Sequence, residues 1–283
     1  MGDVFWHSSL HMGTVLTQCL EGGDAAGVAD RVAAEISRLE GLFSTYRPSS
    51  EVARLGAAAG EAEVRVSGEC LTLLEQAVAW GERTGGAFDV TVGPVVRLWR
   101  ETLAGGRFPA RKEVADRVAL VGYGDLWLNR ADRTARLARK GQLVDLGGMA
   151  KGFAADRAAE FYRTGGIGSA LFNLGGNVVV TGPGPGGTPW RVGLQHPRAP
   201  AGRLMGAVEV EAGSVVTAGD YERCVFRRLT RYHHILDPRT GYPARSGLIA
   251  ATVLGSESLA ADILSTALLV LGLEAGIGLL GAT

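Results

Sequence analysis

The sequence predicts an α+β fold. Helical and strand-like stretches are mixed along it without the strict alternation of a doubly wound sheet, and no repeat of fixed period is visible. A hydrophobic content of 46% with 20% charged residues is that of a globular chain and excludes wholesale disorder. At 283 residues there is room for one large domain or two interlocked ones.

Each element has its own local reason. The run from Met12 to Leu20 alternates as a strand does. A helix of about 18 residues follows from Asp24, with Val28, Val32, Ile36, Leu39 and Phe43 at helical spacing; Ser44 to Pro48 ends it. A second helix, from Glu69 to Arg83, has Leu71, Leu73, Leu74, Ala77 and Val78 as its apolar stripe and stops at Gly85-Gly86. A third runs from Ala150 to Tyr162 and closes at Gly165-Gly166. Strands are then expected at 170–173, 177–181, 190–195, 204–211, 214–217, 231–236 and 249–254, with a Gly- and Pro-rich loop at 181–188. The last helix spans Ser258 to Leu271.

Charge and cysteines remove several function classes. Lys+Arg and Asp+Glu are both 29, so the chain lacks the basic footprint of a nucleic-acid binder. Cys19, Cys70 and Cys224 lie far apart with no CxxC spacing, so they read as core thiols rather than a disulfide or zinc framework. No basic and apolar leader, lipidated cysteine or 18-residue apolar run is visible, which predicts a cytoplasmic protein without a membrane span.

Three stretches could carry chemistry. Asp145-Leu-Gly-Gly-Met-Ala-Lys-Gly152 precedes a helix. Its glycines would let backbone approach a ligand, and first-turn N–H groups favour an anion such as a pyrophosphate. A plain strand-to-helix turn with a surface lysine fits equally well, although Lys151 is one of only three lysines in a chain that otherwise uses arginine. On the last helix Asp262 and Thr266 are four residues apart, so both oxygens share one face, a hard-oxygen pair suited to Mg²⁺. An aspartate there also reads as a capping or solvent-facing residue, but its apolar surround calls for a partner. Finally, His233 and His234 are neighbours in a strand and must face opposite ways. They chelate one metal poorly, so a general base or a structural histidine are the two readings.

Taken together, eight strings in order resemble the ApbE family of FAD:protein FMN transferases. They are 42–48, Gly86-Ala-Phe-Asp-Val-Thr-Val-Gly-Pro94, 145–152, Asn173-Leu-Gly-Gly-Asn177, 190–197, Thr217-Ala-Gly-Asp-Tyr-Glu-Arg223, His234-Ile-Leu-Asp-Pro-Arg-Thr-Gly241 and 262–268. The resemblance runs from Met12 to Leu280. It implies one such domain over 1–283, of two interleaved subdomains around an FAD cleft. It also implies roughly 20 further residues of strand beyond Thr283, given usual strand lengths.

The activity implied is Mg²⁺-dependent transfer of FMN from FAD to a threonine hydroxyl of an acceptor protein, with release of AMP. Hydrolysis of FAD to FMN and AMP, or flavin binding without turnover, are the alternatives. By resemblance, Asp262 and Thr266 would ligate Mg²⁺ together with the Ala150 carbonyl. Met12, Tyr46, Ala87, Phe88 and Asp89 would line the flavin and adenine pockets, with Asp145, Lys151 and Ile235 beside FAD. His234 would act near the attacked phosphate, with Asp262 as its catalytic companion. Tyr46 and Phe88 offer flat surface for rings, though Phe88 also reads as core. Thr217, Asp220 and Tyr221 match the family without an assigned role.

Overall fold

A hairpin opens the chain. The computed structural model describes residues 4–281, beginning with β1 (Val4–His11) and β2 (Thr14–Glu21), paired antiparallel with His11 opposite Thr14. Met12 and Gly13 are therefore the two-residue turn, and both have positive φ, 48° and 72°, the backbone that suits a tight hairpin. This corrects the expectation of a strand starting at Met12. Nothing in the apolar pattern announced β1, because its alternation turns Trp6 and Leu10 outward, 63% and 79% exposed.

Helix α1 (Ala25–Phe43) buries the five expected apolar residues. Then come α2 (Glu51–Ala57), β3 (Val64–Arg65), α3 (Gly68–Arg83), α4 (Gly93–Ala104), α5 (Arg111–Val118), β4 (Leu126–Asn129) and β5 (Thr134–Leu137). Helix α6 (Ala150–Thr164) leads into β6 (Ser169–Leu174), β7 (Asn177–Thr181), β8 (Trp190–Gln195), β9 (Leu204–Val210) and β10 (Gly213–Gly219). The chain closes with β11 (Cys224–Arg227), β12 (Thr230–His233), β13 (Ala250–Gly255), α7 (Ser258–Leu271) and α8 (Leu273–Gly281). Strand β12 stops at His233, short of the expected Leu236, which makes only a single bridge to Pro243. The fold is α+β, as the sequence predicts. No described helix is long and apolar enough to cross a membrane.

The chain forms two compact units and contributes three stretches to each. The first unit takes the chain up to Glu40, Gly147–Tyr221 and Ile249–Ser265; the second takes Gly41–Leu146, Glu222–Leu248 and the chain from Thr266. The first unit is built on an antiparallel sheet of order β1-β2-β6-β7-β10-β13. Alternation sorts its two faces. Cys19, Val178, Val180 and Val215 pack against Trp190 and Val192 of the β8–β9 hairpin. On the other face sits Gln18, fully buried. Its amide nitrogen donates to the Ala29 carbonyl of α1 at 3.1 Å, and its oxygen accepts the Tyr162 hydroxyl of α6 at 2.7 Å. One polar side chain thus ties β2 to two helices, and it survives burial because both ends of the amide are bonded.

The second unit is mostly helical. Ser50 and Ser67 cap α2 and α3, each hydroxyl accepting an N–H three residues on, and Glu51 accepts from both the backbone and the hydroxyl of Ser67. Strands β3, β5 and β4 form a small antiparallel sheet, and β11 pairs with β12.

Replacing Tyr162 with Phe removes the donor to Gln18 and leaves a buried acceptor unpaired. Urea unfolding should show a loss of about 1–3 kcal/mol with an unchanged slope.

Candidate active site

Helices α6 and α7 approach closely because one of them has no side chain at the crossing. A Cβ on Gly152 would come within 2.5 Å of the Ser258 carbonyl oxygen and 2.8 Å of the Leu259 Cα. One turn further along the same face of α6, Asp156 accepts the backbone N–H groups of Ser258 and Leu259 at 2.7 and 2.9 Å. These are first-turn donors of α7 that the helix itself cannot satisfy. Burial pushes the Asp156 carboxyl above the usual carboxylate range, although both N–H bonds pull the other way.

The arrangement is reciprocal. Helix α6 begins after Met149 without a side-chain cap of its own. Asp262 of α7 supplies the missing acceptor: its Oδ2 takes the Gly152 N–H at 3.0 Å, so a carboxylate sits at the positive end of α6. Asp262 is only 4% exposed, and its Oδ1 lies 3.6 Å from the Lys151 ammonium. Lys151 also donates to Asn177 Oδ1 at 3.1 Å, at the start of β7. Asn177 is 1% exposed, and its Nδ2 is buried without a partner among the described residues. Ala150, Lys151, Gly152, Asn177 and Asp262 thus come together in the first unit. Asp262 does act as a cap, but for α6 rather than for its own helix. Thr266, half-buried, stands one turn further along α7. Gly147 and Gly148 are not among the glycines with positive φ, so a strained backbone is not what requires them.

The other expected residues fall elsewhere. Met12, in the first unit, donates its N–H to Glu40 at 3.2 Å. In the second unit Ala87, Phe88 and Asp89 are buried in the turn before α4. The Asp89 carboxylate is fully engaged: Oδ1 accepts the Thr91 N–H and hydroxyl at 2.8 and 2.6 Å, and Oδ2 accepts the Tyr123 N–H at 2.9 Å. Desolvation nevertheless raises its pKa. Asp145 joins this turn through its backbone, its N–H donating to Val90 at 2.7 Å. Tyr46 is 61% exposed, with the Arg100 guanidinium 4.2 Å from its ring centre.

The two histidines separate as strand alternation predicts. His233 is buried and donates from Nε2 to the Ala244 carbonyl at 2.9 Å; His234 is exposed, and Ile235 is buried again. Thr217 pairs across strands with Thr252 at 2.9 Å between hydroxyls. Asp220 accepts from the two terminal guanidinium nitrogens of Arg198, at 2.6 and 2.8 Å, which gives it an anchoring role the sequence left unassigned. Asp156 was missed altogether. Its only signal was a position four residues after Gly152, on the same helix face.

A model of the ApbE family matches residues 12–283. This chain belongs to the ApbE family. Among the family's curated members, a Klebsiella pneumoniae protein named FAD:protein FMN transferase is 37% identical over 273 residues, 96% of this chain and 84% of its own. A Treponema pallidum protein of the same name is 34% identical, over 87% of this chain and 71% of its own. Among solved ApbE structures, the Thermotoga maritima protein superposes with a TM-score of 0.88 at 31% identity, covering 95% of this chain and 87% of the other. The flavin transferase ApbE from Vibrio cholerae gives 0.87 at 28% identity, covering 100% and 92%. As an ApbE member the chain is a transferase enzyme.

Asp156→Ala strips two buried N–H groups of their acceptor and should cost about 1–3 kcal/mol. Gly152→Val should cost more, since backbone on both helices must move. Thermal melts rank the two variants. Hydrogen exchange should show the first turn of α7 losing protection in both.

Proposed function

We propose that this transferase moves FMN from FAD to a threonine hydroxyl of an acceptor protein with Mg²⁺ present, releasing AMP. The relatives' names support the flavin part. The observation that carries the rest is the buried Asp262 carboxylate, held between the first turn of α6 and a lysine ammonium. A cationic group already faces its outer oxygen, so the position suits positive charge. The nearby donors, the Ala150 carbonyl and Thr266 hydroxyl, are hard oxygens of the kind Mg²⁺ takes. Asp262, Thr266 and Ala150 would hold the ion. Once bound, it would neutralise charge on the pyrophosphate.

The residues of the chain have the remaining work. Lys151, a flexible point charge, would hold a phosphate oxygen, and the positive end of α6 would favour the same anion. Met12, Tyr46, Ala87, Phe88, Asp89, Asp145 and Ile235 would border the nucleotide. His234, the exposed histidine, would take the proton from the acceptor hydroxyl. The hydroxyl oxygen then bonds to the FMN phosphorus, the bridging P–O bond breaks, and its electron pair leaves with AMP.

The deciding experiment incubates FAD, Mg²⁺ and a threonine-bearing flavoprotein domain with the enzyme and weighs the acceptor. A gain of one FMN on threonine is expected, and it should vanish with Asp262→Ala. AMP without a mass gain would mean hydrolysis, and no AMP would mean flavin binding alone.

His234→Asn should slow transfer by about 10²–10⁴-fold with little change in melting temperature. His233→Asn should instead lower stability, since its contact is a buried bond to backbone. Equal, small rate effects at both positions would remove the general base from the reading.

A further inference from the structure

The second unit contains a cavity of about 1100 Å³ that includes none of the residues expected at the active site. Its aromatic lining comes from four separate segments. Trp99 of α4 lies 5.7 Å from Tyr232 and 5.9 Å from Tyr242 between ring centres, and Phe108 lies 4.8 Å from Tyr232. Trp99 is buried, and its indole N–H donates to the Gly241 carbonyl at 2.8 Å, which fixes the inner wall. Gly241 itself has φ +72°, and a Cβ there would meet Val114 and Val118 at 2.7 and 2.5 Å. The wall is preorganised.

Arginines stand over this wall. Arg111, Arg227, Arg239 and Arg245 line the cavity against a single acid, Asp237, which Arg239 already engages through two bonds of 2.9 and 3.0 Å. Arg111, Arg227 and Arg245 are exposed and make no ion pair among the described residues. Arg227 rests over Phe108 at 5.0 Å and Arg245 over Tyr232 at 5.8 Å. Three uncompensated guanidinium groups in one concavity are notable in a chain of zero net charge. Aromatic and arginine side chains are also the types that carry most binding energy at protein interfaces. The volume, at the upper end of the usual pocket range of about 300–1,000 Å³, leaves room for a short length of polypeptide.

We propose that this cavity docks an acidic, aromatic-bearing segment of the acceptor protein. The proposal rests on the transfer reading for its partner, and chain geometry links the two. Tyr232 precedes His234 by two residues and Asp237 follows it by three, so the cavity wall reaches within about 7 to 11 Å of the histidine along the chain. A segment held by the arginines lies within reach of the residue that receives the hydroxyl proton. Carboxylates pair with the exposed guanidinium forks, and an aromatic side chain enters between Phe108 and Tyr242.

The test uses the whole enzyme and a dye-labelled synthetic peptide of Glu-Asp pairs around one Trp and one Phe. A second peptide has Lys in place of every acid. Fluorescence anisotropy should show the acidic peptide binding, more weakly as salt rises, and the basic one not binding. The double variant Arg227→Glu, Arg245→Glu should weaken the acidic peptide at least about ten-fold while FAD affinity, read by flavin fluorescence, stays the same. Phe108→Ala should weaken the peptide without altering its salt dependence. No binding of the acidic peptide, or equal binding by wild type and double variant, would overturn the proposal. So would a loss of FAD affinity in the double variant, which would give the cavity to the nucleotide. Peptide binding needs neither FAD nor turnover. A failure of FMN transfer with peptide binding intact therefore strikes the proposed reaction and not the docking site.

Discussion

Two carboxylates exchanged between two helices hold the candidate site in place. Asp156 of α6 satisfies the start of α7, and Asp262 of α7 satisfies the start of α6. Each helix end would otherwise present buried donors with no acceptor, which is costly away from water. The exchange needs a short interhelical distance, and Gly152 provides it. Asp262 therefore has an architectural role whether or not a ligand is present. Its position is fixed before any cation or phosphate arrives, which is the condition for electrostatic preorganisation.

The same economy appears where polar groups are buried elsewhere. Gln18 joins a strand to two helices, Asp89 closes a turn with three bonds, and His233 fastens its strand to Ala244. Gln18 and Asp89 are made acceptable in the interior by bonds to both of their polar atoms. Asn177 differs from these two. One end of its amide meets Lys151, and the other has no partner among the described residues. An incompletely satisfied amide beside a lysine and a carboxylate is what a site for a polar ligand looks like.

Much of this was legible in the sequence, and the gaps have physical causes. Helices α1, α3, α6 and α7 stood out because each buries a periodic apolar stripe. Helix α5 did not, since Val114 alone of its eight residues is buried. Strands β3, β4 and β5, two to four residues long, are too short for alternation to register. Asp262, Thr266 and Lys151 could be singled out by residue type and spacing, and the division between His233 and His234 by strand alternation. Asp156 and the arginine-lined cavity could not. Their meaning depends on which distant segments meet: 156 with 258, and 99 with 232 and 242.

The interleaving of the chain has a consequence for how the protein is made. Each unit draws on three separated stretches, and β10, the fifth of the six strands in the first unit's sheet, pairs with β13, which lies more than 30 residues later in the chain. During synthesis neither unit can close early. The sheet waits for residues 250–255 to leave the ribosome, by which time most of the second unit has also emerged. High contact order of this kind slows folding and leaves strand edges open meanwhile. No single cut of the polypeptide would release one unit intact. Synthesis must pass residue 255 before the first unit's sheet is complete, and pass Thr266 before the second unit has its third stretch.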